Sequence, residues 1–262
     1  MTPSDPTAVE LKDVSVSFPD RAGGDDVEVL RRVTFNIRPG EFVTVVGPSG
    51  CGKSTLLNLI AGLLRPSEGR IAYAGELVAR TNTKVGYITQ QDNLLPWQST
   101  RKNVELPLRI RHVQSGQRGE IAQRWINIVG LNGFESHYPR ELSGGMRKRA
   151  AIARTLAYDP ETLLLDEPFG ALDAQLRIVM QDELLRIWTE AANKTVLFIT
   201  HDLAEAVALS DRVIVMSGRP GRVLAEFEIP LPRPRVIRDL RFTSEFTKLH
   251  EELWKAMEGR AG

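Results

Sequence analysis

One glycine-rich loop constrains this chain more than any other feature. Residues 47–54 read Gly-Pro-Ser-Gly-Cys-Gly-Lys-Ser, which matches the phosphate-binding pattern G-x-x-x-x-G-K-[ST]. The loop follows an apolar run, Phe42–Val46, and precedes a helical pattern at 54–64, which is the strand–loop–helix context that the pattern requires. The motif therefore predicts a site for nucleotide phosphates.

Each residue type in this loop suits the phosphates of ATP. The glycines let backbone N–H groups curl around phosphate oxygens, and the following helix aims its positive dipole end at them. Lys53 supplies a point charge to the β- and γ-phosphates, while the Ser54 hydroxyl can bind Mg²⁺. We interpret Cys51 as a small loop residue rather than a redox group. The predicted nucleotide-binding residues here are Gly47, Pro48, Ser49, Gly50, Cys51, Gly52, Lys53, Ser54 and Thr55.

A second acidic pair lies much later in the chain. The apolar run at 162–165 ends in Asp166 and Glu167. A buried strand tolerates charge at its end when the acids face a cavity that holds a counter-ion. Asp166 suits the Mg²⁺ shell, and Glu167, which points to another side, is placed to polarise an attacking water. The alternative is an acid pair that merely caps a strand–turn junction.

The order of periodic segments predicts an α/β fold. Alternating runs near the N-terminus, at 9–11, 14–18 and 33–37, are typical of half-buried antiparallel strands. The stretch of about 92–158 has few β-branched runs and predicts helices. After Pro160, strand-like runs alternate with helical ones, which argues for a mostly parallel sheet flanked by helices. We expect a P-loop NTPase core with an N-terminal antiparallel β subdomain and an inserted helical subdomain.

Composition narrows the classes of function. With 34 Lys and Arg against 33 Asp and Glu, the net charge is +1, which gives no support to a nucleic-acid partner. A single cysteine excludes an internal disulfide framework. The most apolar window, 56–64, is about half of the roughly 20 residues that cross a bilayer. Any membrane component is therefore expected from another subunit.

A serine–glycine motif indicates the family. Residues 142–146 read Leu-Ser-Gly-Gly-Met, and Ser143, Gly144 and Gly145 can form a second anion-binding nest at a helix start. The order of phosphate loop, serine–glycine motif and acid pair resembles the ATP-binding cassette (ABC) ATPases over essentially residues 8–225. The resemblance implies an ABC ATPase domain at 8–228, with a RecA-like core and a helical subdomain at about 92–158, followed by a C-terminal extension at 229–262 with an amphipathic helix.

The resemblance also assigns roles to isolated residues. Phe18 sits where the family places an aromatic ring that stacks on adenine, and Gln90 looks like the Q-loop glutamine, which contacts nucleotide and metal. His201 looks like the switch histidine of the family, so His201 and Glu167 are the two predicted catalytic residues. Taken singly, Phe18 could be core, Gln90 a surface residue and His201 structural. The stretch 171–173 resembles the D-loop of the family.

The family likeness implies a two-site dimer that uses ATP and Mg²⁺. Each ATP would lie between one subunit's phosphate loop and the other's serine–glycine loop, in a homodimer or pseudo-dimer. Because the γ-phosphate completes the second anion site, ATP closes the dimer and hydrolysis weakens it. Ser54, Gln90 and Asp166 are the predicted metal ligands.

One stretch points to a transporter class. Residues 91–97, Gln-Asp-Asn-Leu-Leu-Pro-Trp, end in four apolar residues where ABC subunits receive a helix of the membrane permease. Burial of Leu94 and Trp97 within the helical region is the alternative. The run resembles importers of nitrate, taurine and aliphatic sulfonates, which implies permease subunits, a substrate-binding protein and a place on the cytoplasmic face of the inner membrane. An exporter subunit, a soluble ABC ATPase on nucleic acid and a P-loop kinase are the rivals.

Two groups of basic residues are expected to be exposed to solvent. Arg147, Lys148 and Arg149 are expected on an exposed helix face, with Lys148 standing where the family often has glutamine. The arginines of the C-terminal extension are expected to form an exposed strip, with lipid headgroups as a minor alternative. These arginines are Arg233, Arg235, Arg238 and Arg241.

The extension is expected to dock on the ATPase body. Three prolines predict an extended course for 228–241, after which Thr243 or Ser244 can cap a helix. Its apolar residues fall on one helical face, to be covered by the same subunit, a second copy or the membrane partner. They are Phe246, Leu249, Leu253, Trp254 and Met257.

Overall fold

The computed structural model describes residues 6–20, 23–170, 172–190 and 194–258. Among these residues the strands are β1 Val9–Phe18, β2 Val27–Ile37, β3 Phe42–Val46, β4 Glu68–Tyr73, β5 Glu76–Leu77, β6 Val85–Ile88, β7 Thr162–Asp166, β8 Thr195–Ile199, β9 Arg212–Met216 and β10 Val223–Glu228. The helices are α1 Lys53–Ile60, α2 Thr100–Ile110, α3 Ser115–Ile128, α4 Gly144–Ala157, α5 Ala174–Glu190, α6 Leu203–Leu209, α7 Ile237–Leu240 and α8 Ser244–Glu258. The chain divides into two compact units, 1–83 with 188–262, and 84–187.

The first unit contains an antiparallel sheet in the order β2-β1-β4-β5. Strand β1 pairs with β2 on one side and β4 on the other, both antiparallel. Residues of β1 alternate in part between buried and exposed, as in a sheet with one face on the core. The alternating sequence pattern thus predicted β1 and β2 correctly, whereas β4 and β5 were not predicted.

The same unit holds a second set of strands in the order β10-β9-β3-β8. Strand β3 runs parallel to both β8 and β9, while β10 is antiparallel to β9. All residues of β3, β8 and β9 are buried, which explains their nearly continuous apolar sequences. Because β3 and β8 are parallel, the loop after Val46 and the residues after Ile199 leave the same edge of the sheet.

The second unit combines a parallel strand pair with the helices of the predicted helical region. Strands β6 and β7 are paired in parallel, with Ile88 opposite Leu165. Their carboxyl ends lead to Gln90 and Asp166, so these two residues lie at one edge of the pair. Helix α4 packs against α2, α3 and β6. The predicted stretch of 92–158 contains α2, α3 and α4.

The C-terminal extension docks within the first unit, as expected. Helix α8 packs against α6, β9 and β10, and the Thr243 hydroxyl caps α8 by accepting from the Phe246 N–H at 3.3 Å. Phe246 and Leu253 are buried, whereas Trp254 is 52% exposed, so this subunit covers only part of the apolar face. The expectation of an entirely extended course also fails at the short helix α7. Residues 259–262 of the extension lie outside the described residues.

The predicted solvated arginine strip is wrong for two of its members. Arg235 is only 8% exposed, and its guanidinium donates to four backbone carbonyl oxygens. Arg233 pairs with Asp211 at 2.7 Å and lies over the ring of Trp188, 4.1 Å from its centroid. Arginine can be buried in this way because its fork of donors satisfies several carbonyls at once. Among the described helices, none is long and apolar enough to span a membrane.

Candidate functional site

The phosphate loop lies between β3 and α1 in a conformation that requires glycine. Gly50 has a φ of 77° and Gly52 a φ of 99°, both in the left-handed region that L side chains rarely adopt. A Cβ atom added to Gly52 would also lie 2.6 Å from Leu30 Cδ2. At Gly47, an added Cβ would lie 3.0 Å from the Met216 carbonyl oxygen. The motif glycines therefore fix the course of the loop.

The side chain of Lys53 folds back over this loop. Lys53 is 7% exposed, and its Nζ donates to the Gly47 oxygen at 2.8 Å and the Pro48 oxygen at 2.9 Å. The next residue, Ser54, is exposed. Helix α1 begins here without a side-chain cap, so its first N–H groups are available to an anion. Backbone donors, a helix start and one amine form a donor set that fits nucleotide phosphates.

Cys51 is a buried loop residue rather than a reactive thiol. It is the only cysteine of the sequence and is fully buried. Burial raises the pKa of the Cys51 thiol, and the nearby Lys53 amine only partly opposes that shift. A raised pKa keeps the sulfur as the less nucleophilic thiol at neutral pH. These properties favour a packing role.

His201 and Phe18 are also in the first unit. His201 is exposed and comes two residues after β8, at the sheet edge that the phosphate loop also leaves. Immediately after it, Asp202 caps α6 by accepting from the N–H groups of Ala204 and Glu205. Phe18 ends β1 and is 39% exposed, so its ring is accessible to a flat ligand. The cap thus fixes where the chain turns after His201.

The acid pair in the second unit has an unusual backbone. Asp166 ends β7 and is 6% exposed, whereas Glu167 is partly exposed. Glu167 has a φ of 44°, a left-handed conformation that is uncommon for a residue with a β-carbon. Such conformations cost about 1–3 kcal/mol and concentrate at functional sites. The backbone therefore turns Glu167 away from the direction that a continuing strand would give it.

The serine–glycine motif forms a helix start. Ser143 is the N-cap of α4, and its hydroxyl accepts from the Met146 N–H at 3.2 Å. Both Ser143 and Gly144 are exposed, while a Cβ added to Gly145 would contact Leu172 at 3.4 Å. An exposed start of a long helix beside small residues is the anion-binding arrangement that the sequence predicts. Ala171 of the D-loop stretch lies outside the described residues.

The prediction that the basic triplet forms a solvated helix face is wrong, most clearly for its central residue, Lys148. Lys148 is 3% exposed, and its Nζ donates to the backbone oxygens of Thr89 at 2.6 Å and Gln90 at 3.0 Å. Burial lowers the pKa of Lys148, while the charges of Asp166, Asp92 and Glu167 oppose that effect. Sequence reasoning missed this contact because its partners lie nearly 60 residues away.

The flanking arginines are also engaged. Arg147 forms an ion pair with Asp92 at 3.0 Å. Arg149 donates to the backbone oxygens of Val129 and Gly130 at 2.9 and 3.0 Å. All three basic residues of the triplet therefore join α4 to other parts of the second unit.

The two candidate interface residues of the 91–97 run, Leu94 and Trp97, differ in exposure. Leu94 is 8% exposed and packs inside the unit, which was the alternative interpretation. Trp97 is 69% exposed, as the interface hypothesis requires. Gln90, just before this run, is exposed as well. A large apolar side chain left in solvent is a frequent mark of a binding surface.

Comparison with known proteins gives consistent likenesses. The sequence model of the ABC transporter family matches residues 30–170. An uncharacterised ABC transporter ATP-binding protein of Methanocaldococcus jannaschii is 45% identical over 254 residues, 95% of each chain. The aliphatic sulfonates import ATP-binding protein SsuB of Bacillus cereus is 46% identical over 229 residues, 87% of this chain and 88% of that protein.

A solved structure is similar as well. It is described as a dimeric, post-hydrolysis state of an ATP-binding cassette bound to ADP and Pi. It matches with a TM-score of 0.78 at 34% sequence identity, covering 86% of this chain and 100% of that chain.

Proposed function

Because this chain belongs to the ABC transporter family, we propose that it powers the import of a small solute of the nitrate, sulfonate or taurine kind through separate membrane subunits. The chain is an ATP-binding subunit with the P-loop NTPase fold, and it is an ATPase. The import direction and the solute are the proposal. The observation that carries the nucleotide site is Lys53, whose amine is held over a glycine loop at the start of α1.

We assign the residues of the first unit to nucleotide binding. Backbone N–H groups of the phosphate loop and the Lys53 amine hold the phosphates, and the Phe18 ring stacks on the base. The Ser54 hydroxyl would provide one ligand for Mg²⁺. His201 contacts the γ-phosphate from the residues that follow β8. These assignments are supported by the exposure of Phe18, Ser54 and His201 and by the place of Lys53 in the loop.

The second unit supplies the remaining groups in this proposal. Asp166 and Gln90 are assigned to Mg²⁺ binding, and Glu167 is assigned to the attacking water, which it would orient and whose proton it would accept. When bound, Mg²⁺ would neutralise charge on the phosphate oxygens. The partial exposure of Glu167 directly after the buried end of β7 supports this role, since its carboxylate is accessible to water.

The proposed assembly is a dimer with shared nucleotides. Ser143, Gly144 and Gly145 at the start of α4 would meet the ATP of a second copy. The exposed start of α4 supports this, because donors at an exposed helix end can reach a partner's ligand. The exposed Trp97 supports contact with a permease, and the protein would then act at the cytoplasmic face of the membrane beside a substrate-binding protein.

Import of a sulfonate-like solute is supported by two Bacillus relatives that are each named an aliphatic sulfonates import ATP-binding protein. An exporter subunit is the second candidate, and the balanced charge gives no support to an ATPase that acts on nucleic acid.

The direction of transport is tested by deleting the gene in its own host and measuring the uptake of labelled alkanesulfonate, taurine and nitrate. Import predicts that uptake of one of these is lost and is restored by the wild-type chain but not by Lys53→Ala. Normal uptake with increased retention of a solute would favour export.

A further inference from the structure

Lys148 lies at the meeting point of two segments that the proposed reaction uses. It is carried by α4, the helix that begins next to Ser143. Its amine binds the carbonyl oxygens of Thr89 and Gln90. The side chain therefore connects the serine–glycine helix start with the segment Thr89–Asn93, here called the Gln90 segment.

Two further cations of α4 hold the same segment. Arg147 pairs with the carboxylate of Asp92, and Arg154 donates to the backbone oxygens of Asp92 and Asn93 at 3.1 and 2.8 Å. Together with Lys148, they attach four of the five residues of the Gln90 segment to one helix. A loop held at so many points follows the helix when the helix moves.

Lys148 is distinguished from the two arginines by its position. It alone of the three binds the backbone of Gln90 itself. The Gln90 side chain is exposed, so its direction depends on the backbone that carries it. Burying an amine is costly unless strong acceptors compensate, and two carbonyl oxygens at 2.6 and 3.0 Å do so. A neutral glutamine, frequent here in the family, would make weaker hydrogen bonds.

We propose that Lys148 is a positioning residue that fixes the backbone of Gln90 to the helix of the serine–glycine motif, so that both move together during the ATPase cycle. The inference rests on the proposed function, in which Gln90 contacts the metal and phosphate. In the proposed dimer, the serine–glycine loop of one subunit meets the ATP of the partner, and Gln90 serves the ATP of its own subunit. Lys148 would therefore connect the groups that serve the two ATP molecules. Lys148 thereby supports cooperation between the two sites.

The test compares three variants of the full chain. Lys148→Met removes the donors and keeps the length, Lys148→Gln restores an amide donor, and Arg149→Met is the matched control. Arg149 also binds carbonyls from α4, but it does not contact the Gln90 segment. The measurements are kcat, the Hill coefficient for ATP, the Kd of a fluorescent ATP analogue and the melting temperature.

Lys148→Met is expected to lower kcat roughly tenfold and the Hill coefficient toward one, while the Kd changes less than about twofold. Lys148→Gln should recover part of kcat. Arg149→Met should keep the wild-type kcat and Hill coefficient even if its melting temperature falls as far as that of Lys148→Met. Unchanged kcat in Lys148→Met, or an equal loss in Arg149→Met, would overturn the positioning role.

A second measurement covers the case in which Lys148→Met does not fold. Amide hydrogen exchange of residues 89–93 is then compared between Lys148→Gln and Arg149→Met. Faster exchange only in Lys148→Gln supports the link, and equal protection in both overturns it. Wild type and Glu167→Gln are assayed alongside, because ATP hydrolysis in the first and its loss in the second test the proposed function independently of Lys148.

Discussion

The guanidinium of Arg235 donates to the carbonyl oxygen of Ser210 at 2.7 Å, so a residue of the C-terminal extension caps the end of α6. The same group also binds the carbonyl oxygen of Ala208 and those of Ile229 and Leu231. Burial lowers the pKa of Arg235 to about 10, which leaves it charged at neutral pH. Helix α6 begins directly after His201 and Asp202, so the extension braces the helix behind the proposed switch residue.

Arg235→Met is expected to destabilise the protein by about 2–4 kcal/mol, because buried carbonyls lose their donor. The free energy of unfolding in urea measures this. Arg238→Met is the matched control, since Arg238 is an exposed arginine of the same segment, and it should cost less than about 0.5 kcal/mol. Equal stability of the two variants would show that the extension is not anchored through Arg235.

Lys53→Ala is expected to weaken ATP binding about 10- to 100-fold, because the phosphates lose their cationic partner within the loop. Thermal unfolding measures the effect: ATP should raise the melting temperature of wild type but hardly that of the variant. Lys12→Ala, which removes an exposed lysine of β1, serves as the control and should respond like wild type. A full thermal response of Lys53→Ala would refute the phosphate site.

Cys51 is expected to react with a thiol reagent at pH 8 on the order of tenfold or more slowly in the folded protein than in urea. Its raised pKa lowers the thiolate fraction, and burial limits access. Since the sequence has one cysteine, the colour released by a chromogenic thiol reagent measures the reaction of Cys51 alone. Cys51→Ser provides the blank. Similar rates in folded and unfolded protein would mean that the loop does not bury the thiol.

Ser143→Arg is expected to block ATP-dependent dimer formation while leaving the Kd of a monomer for ATP nearly unchanged, because in the proposed dimer this loop serves the partner's nucleotide. Light scattering with and without ATP, in a Glu167→Gln background that slows hydrolysis, measures the mass. Ser115→Arg is the control, since Ser115 is an exposed residue at the start of another helix. Dimer formation by the Ser143→Arg protein would contradict the shared site.

Local pattern was enough to predict the elements that carry the chemistry. Strands β3, β7, β8 and β9 are apolar runs bounded by turn residues, and the phosphate loop has a defined spacing. Ser143 caps its helix as its motif predicts. Such features depend on residues close in sequence, which is why one chain is sufficient to find them.

The buried cations could not be predicted in the same way. Lys148 binds carbonyl oxygens 58 and 59 positions away, and Arg235 binds one 27 positions away. Charged residues at a helix surface are normally solvated, and only the tertiary fold shows which of them meets unpaired carbonyls. The left-handed backbone of Glu167 likewise has no signal in the residue types around it.

The most direct test of the account is the rate of ATP hydrolysis by Glu167→Gln. Replacement of the carboxylate removes the group that we propose orients water but keeps the phosphate loop, so kcat should fall about 100-fold or more with ATP affinity preserved. Glu161→Gln, which changes an exposed glutamate just before β7, is the control and should hydrolyse at the wild-type rate. The account predicts a bound but unhydrolysed ATP in Glu167→Gln. Hydrolysis by that variant at the wild-type rate would contradict it.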